Sequence, residues 1–157
     1  MSLKKAYYYF YYQLYRFTNP SSIFPRQFVA ILYLGILLIF IGASILYNYG
    51  TFIDLKFQIG DGKWATILYV GIICLPNFFI FEYKDQWKEI VNEFDKLPKK
   101  TNRIGSFIVW SIVILIIANF IFSIYLMDQN AKENHIGPYS KEYIEKQKVK
   151  DKKNGGW

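Results

Sequence analysis

The sequence predicts an all-α membrane protein with three transmembrane helices, an N-terminal interfacial aromatic helix and a cytoplasmic amphipathic connecting helix. Two observations carry this prediction. The 157 residues are 53% hydrophobic and 20% aromatic, with a mean hydropathy of +0.11, too apolar for an ordinary soluble domain of this length. Three separate runs are also free of Asp, Glu, Lys, Arg and His. Each is long enough, at about 1.5 Å of rise per residue, to cross about 30 Å of hydrocarbon as a helix.

Residues 1–26 form the first region. Its core, LKKAYYYFYYQLYRF (3–17), carries eight aromatics and no acid. It is too short to span, and tyrosine suits a boundary where one end of the ring is greasy and the other wet, so a helix in the headgroup plane is expected. The rings surround most of that helix, which predicts lipid on one side and the protein's own loops on the other. Lys4 and Lys5 are followed by aromatics instead of an apolar core with a small-residue cleavage site, so the segment reads as retained. Asn19-Pro20-Ser21-Ser22 and then Pro25 end it.

The membrane region is expected over 27–127, with spans at 28–47, 64–81 and 104–127. Pro76 and Asn77 predict a kink near the end of the second. Orientation follows from the basic residues. Four precede the first span and six lie between the second and third, against two in the loop 48–63. The positive-inside rule then puts the N-terminus in the cytoplasm and the C-terminus on the opposite side, although the polar tail 128–157 adds seven lysines, most of them far from the span. Within that tail Ser140 is placed to cap a short helix through Ile144, with disorder beyond.

Chemistry-bearing patterns are few. Cys74 lies in an apolar run, where burial raises a thiol's pKa, and His135 is the one histidine. A metal site needs several such ligands, so no metal, cofactor or catalytic residue is predicted and an enzyme is the least expected class. The net charge of +7 would suggest nucleic acid in a soluble chain. Beside apolar runs it reads instead as anchoring to the lipid bilayer, with no nucleic-acid partner.

Three surfaces remain as candidates. In EYKDQWKEIVNEFDKLPKK, Trp87, Ile90, Val91, Phe94 and Leu97 fall at helical spacing, giving either a packing helix or a docking surface through Trp87 and Phe94. In the outer loop Ile53, Phe57 and Ile59 alternate with polar residues ahead of Gly60-Asp61-Gly62, the period of a short strand that can meet a partner. Inside the spans, Asn77 lies about 6 Å and Asn119 about 22 Å from the cytoplasmic ends. Two polar layers are expected, Asn77 with Ser111 and Gly35, and Asn119 with Gly42, Ala43, Ser44 and Thr66, acting as interhelical glue.

The stretches KKAYYYFYYQLYRF and WKEIVNEFDKLPKKTNRIGSFIVWSIVILIIANFIFSIYLM resemble small uncharacterised multi-span inner-membrane proteins of Bacteroidota, over about two thirds of the chain. The resemblance implies topology and location without a mechanism. The expected function is a non-enzymatic interaction protein with a protein partner, one form of which is immunity against a toxin. The alternatives are an accessory subunit of a larger membrane complex and a small transporter or channel, the last needing homo-oligomerisation because three uncharged helices enclose no path alone.

Overall fold

The computed structural model describes residues 2–18, 24–53 and 63–154, all of it helix, turn or short connection. Helix α1 (Leu3–Phe17) opens behind Ser2, whose hydroxyl accepts the Lys5 amide at 3.4 Å, and closes where Thr18 turns extended and donates to the Tyr15 carbonyl at 2.6 Å. Helix α2 (Arg26–Phe52) starts directly after Pro25. Helix α3 (Lys63–Glu82) runs on through Pro76, and the Asn77 side-chain amide donates to the Ile73 carbonyl at 2.6 Å just past the proline. Helix α4 (Gln86–Asp95) is short. Helix α5 (Lys99–Glu133) begins behind Pro98, and α6 (Lys141–Asn154) closes the described chain.

Three helices, α2, α3 and α5, are long and apolar enough to cross a membrane. Each outruns its sequence-predicted span at both ends. The 35 residues of α5 reach about 52 Å, so charged turns extend past any hydrocarbon layer.

Helix α2 is the shared neighbour: α3 and α5 both pack along it and make no substantial contact with each other. α2 and α5 run parallel. At one end Leu34 and Leu37 join Val109 and Val113 in the buried core; further along Phe40 stacks on Phe120 at 4.4 Å; at the far end the Asn130 amide donates to the Thr51 carbonyl at 2.9 Å. On α5 the buried and half-buried residues Val109, Val113, Ile116, Phe120 and Ser123 recur at alternating fours and threes along this edge, and Asn102 and Ser106 continue the row toward α1. That spacing keeps a helix edge against one neighbour over many turns.

The α3 contact is antiparallel and uses a different device. The Tyr69 ring lies in the notch at Gly42 and its hydroxyl donates to the Ile39 carbonyl at 2.9 Å, while Gly35 sits against Cys74. Gly42, expected to meet an amide layer at Asn119, therefore meets a tyrosine instead. The reason is size: only a glycine lets the phenol reach a backbone carbonyl on α2.

At the end of α3 a 3-10 turn (Tyr83–Asp85) puts Lys84 and Asp85 in the left-handed region at φ 52° and 57°. Two consecutive residues there turn the chain sharply, at a steric cost of about 1–2 kcal/mol each, and aim α4 back across the bundle end. The tail also departs from expectation. Ser140 does cap, accepting the Tyr143 amide at 3.3 Å, but the helix continues past Ile144 to Asn154. Its Lys, Glu and Gln residues favour helix, and Glu142 pairs with Lys146 at 2.7 Å across one turn.

The glycine notch gives a direct test. Gly42→Ala would drive a methyl group into the Tyr69 hydroxyl and is expected to destabilise the folded protein by about 1–3 kcal/mol, the cost of overpacking. Gly71→Ala, whose new methyl meets only Leu75 at ordinary contact distance, should be neutral or stabilising, as thermal unfolding in detergent would show.

Candidate functional site

The chemistry of the fold gathers where α1 crosses the ends of α2, α3, α4 and α5. The inward side of α1 packs on helix ends: Tyr11 and Tyr12 are fully buried and Leu14 nearly so, while Phe17 stays exposed. Residues two apart on a helix point about 200° apart, so successive tyrosines reach different partners. Tyr7, Tyr8 and Tyr11 surround Phe81 at the end of α3, with Tyr11 stacked on it at 4.0 Å. Tyr9 and Tyr12 enclose Phe94 of α4 at 5.1 and 5.6 Å. Tyr15 lies 5.9 Å from Trp87 and under the Arg26 guanidinium, which also donates to the Tyr15 carbonyl at 3.3 Å.

A chain of hydrogen bonds runs through this aromatic layer. Gln13 donates to the Tyr9 hydroxyl at 2.7 Å; Tyr9 donates to the Asn102 side-chain oxygen at 3.2 Å; Asn102 donates to the Phe94 carbonyl at 3.2 Å and to the Tyr12 hydroxyl at 3.4 Å; Tyr12 donates to Asp95 at 2.6 Å. One buried amide thus ties α1, α4 and α5 together. The Tyr9 ring also fills the notch at Gly105 on α5. On the opposite side of α1, the Tyr7 hydroxyl donates to the Asn77 side-chain oxygen.

Burial pushes Tyr7 up to about 12, with the neighbouring Tyr8 adding to it. Tyr12 also rises to about 12, from burial first and then from its hydrogen bond to Asp95. Tyr11 is pushed higher still by burial, with Glu82 and Tyr15 adding to it. Its hydroxyl has no hydrogen-bond partner among the described residues.

The sequence-selected residues fall into different places. Asn77 is buried, and its partner is Tyr7 of α1, not Ser111, which donates to its own helix at Phe107. Phe94 is buried between Tyr9 and Tyr12, and Trp87 is half-buried against Tyr15, so the inward face of α4 already has α1 as its occupant. Ile53 is exposed and helical in backbone at the end of α2; Phe57, Ile59 and the expected strand lie outside the described residues. Asn119 is exposed on α5: its carbonyl accepts the Ser123 hydroxyl at 2.9 Å, and its amide has no partner among the described residues. Asn102 and Gly105 were missed because they straddle the start of the third span, Asn102 in its basic approach and Gly105 in its first turn, where a lone Asn and a lone Gly carry little signal.

No group of three His, Cys, Asp or Glu that would hold a metal occurs among the described residues. Compared with protein-family models, curated proteins and solved structures, the chain matches none.

The two buried tyrosines separate structural roles. Tyr12→Phe leaves Asp95 and Asn102 short of a partner and is expected to cost about 1–3 kcal/mol, whereas Tyr11→Phe removes an orphaned hydroxyl and should be neutral or stabilising; chemical denaturation in detergent distinguishes them. Tyr7 and Tyr12 also set a pH dependence. In the unfolded chain they ionise near 10, while the folded protein keeps their protons to about 12. The native state then holds more protons, so stability should fall as pH rises through that window, and phenolate absorbance should show this fraction of tyrosines titrating late.

Proposed function

We propose that this chain is a non-enzymatic, multi-pass protein of the bacterial inner membrane that works through protein–protein contacts inside the bilayer, as an accessory subunit of a larger membrane complex. The end bearing α1 and α4 collects both basic segments, Lys4, Lys5, Arg16 and Arg26 from one and Lys84 to Arg103 from the other, and so faces the cytoplasm under the positive-inside rule. On that reading α1 lies at the cytoplasmic interface and α2, α3 and α5 cross.

The observation that carries the interaction role is Asn119. It stands about 22 Å along the span from Ile104, in the periplasmic half of the hydrocarbon, exposed beside Leu115 and Phe122 on one face of α5. An amide facing lipid without a partner is costly, and a span from another chain offers the hydrogen bond it lacks. Immunity against a toxin is a special form of the same reading, in which the toxin or its target supplies that span.

A mild-detergent pull-down of the tagged protein, with mass spectrometry of what is retained, checks this. Wild type should retain a stoichiometric membrane partner that Asn119→Leu releases while remaining folded. Retention of the same partner by Asn119→Leu would remove the proposed contact, and a wild-type protein that purifies alone and conducts solute in liposomes would replace the reading with a channel.

A further inference from the structure

The cytoplasmic half of the same α5 face is not flat. Beneath the first two turns of α1 lies an apolar groove of about 1240 Å³, with Leu38 and Ile41 of α2 on one side and Ile108, Ile112 and Ile116 of α5 on the other. Its lining runs along α5 from Ile104 to Ile116, about 18 Å. That is close to half of an about 30 Å hydrocarbon layer, the depth of a single leaflet.

The mouth of the groove differs from its body. Lys4 and Lys5 line it together with Glu93. Lys5 pairs with Glu93 at 3.0 Å; Lys4 lies over the Tyr8 ring at 5.4 Å and has no carboxylate partner among the described residues. Thr101, in the first turn of α5, lines the groove as well, and Pro98 gives that helix start no side-chain cap. An unpaired ammonium and uncapped amides therefore stand at the headgroup end of a leaflet-deep apolar slot.

We infer that this groove is a binding site for an anionic phospholipid of the cytoplasmic leaflet, one acyl chain lying between α2 and α5 and the phosphate beside Lys4 and the start of α5. The inference rests on the membrane reading above. It accounts for an opening beneath α1 that no side chain of the described chain fills, and it places the lipid and the Asn119 contact at different depths on one helix face.

The test uses the full-length protein purified in mild detergent, stripped of lipid, and returned to either phosphatidylglycerol or phosphatidylcholine. Native mass spectrometry should show one retained phosphatidylglycerol per chain and weaker retention of phosphatidylcholine, and thermal unfolding should shift upward more with the former. Lys4→Gln should weaken phosphatidylglycerol retention about fivefold, the worth of one basic residue near an anionic surface, and leave phosphatidylcholine unchanged. Ile112→Trp should fill the slot and abolish the retained lipid, while Ile121→Trp, on the opposite exposed face of α5, should not. Equal retention of the two lipids, a lipid-bound Ile112→Trp variant, or a dimer that Ile112→Trp disrupts would each overturn the site while leaving the membrane reading intact. A wild-type chain that leaves the membrane in an alkaline carbonate wash would overturn the membrane reading, and the site with it.

Discussion

Everything at the α1 end of the bundle depends on that helix acting as a wedge. Because α3 and α5 are joined only through α2 along their lengths, something must hold them at that end, and the tyrosines of α1 do so on opposite faces. Tyr7 reaches Asn77 of α3, and Tyr9, two residues on, reaches Asn102 of α5. The phenol combines a large apolar ring with a hydroxyl that can end a hydrogen-bond chain, so one residue type both fills the core and ties the helices. Phe81 and Phe94, the central rings of the two clusters, would otherwise be large apolar surfaces at the mouth of an open bundle.

Along the spans the cohesion has another source. On the proposed membrane reading lipid is as apolar as the side chains, so burial provides little drive for helices to associate, and close packing and hydrogen bonds supply it. α2 meets this on two sides with two devices: a three-and-four seam toward α5, closed by the stacked Phe40 and Phe120, and glycine notches toward α3, one of which admits the Tyr69 phenol to a backbone carbonyl.

The three long apolar helices were legible because exclusion of charge over about twenty residues is a coarse signal that few other structures share. Their true ends were not, since Lys99 and Glu133 continue a helix for reasons of backbone geometry and not of hydropathy. The partners of α1's rings were hidden for a physical reason: tyrosine density fits a headgroup boundary and a wet-edged core equally well, and nothing local in the sequence brings Phe81 and Phe94 beside it. Asn77 was recognised as a hydrogen-bonding amide, but its partner lay in a segment assigned to the surface. Asn119 was assigned an internal partner; helical phase turns it outward. Trp87 and Phe94 were read correctly as one helix face, with α1 as the surface it meets.

The wedge has a consequence in time. The contacts of α1 are separated in sequence by 70 residues for Tyr7 with Asn77 and 93 for Tyr9 with Asn102. At about 5–20 residues per second, α1 waits several seconds after it is made before the last of its partners is synthesised. During that interval its aromatic faces lack the partners they have in the folded chain, and α2 and α3 are made without them. Closure of the bundle end is thus a late event, reached only once α5 has been made, and a chain stalled before that point would lack the Asn102 amide that ties α1 to α4 and α5.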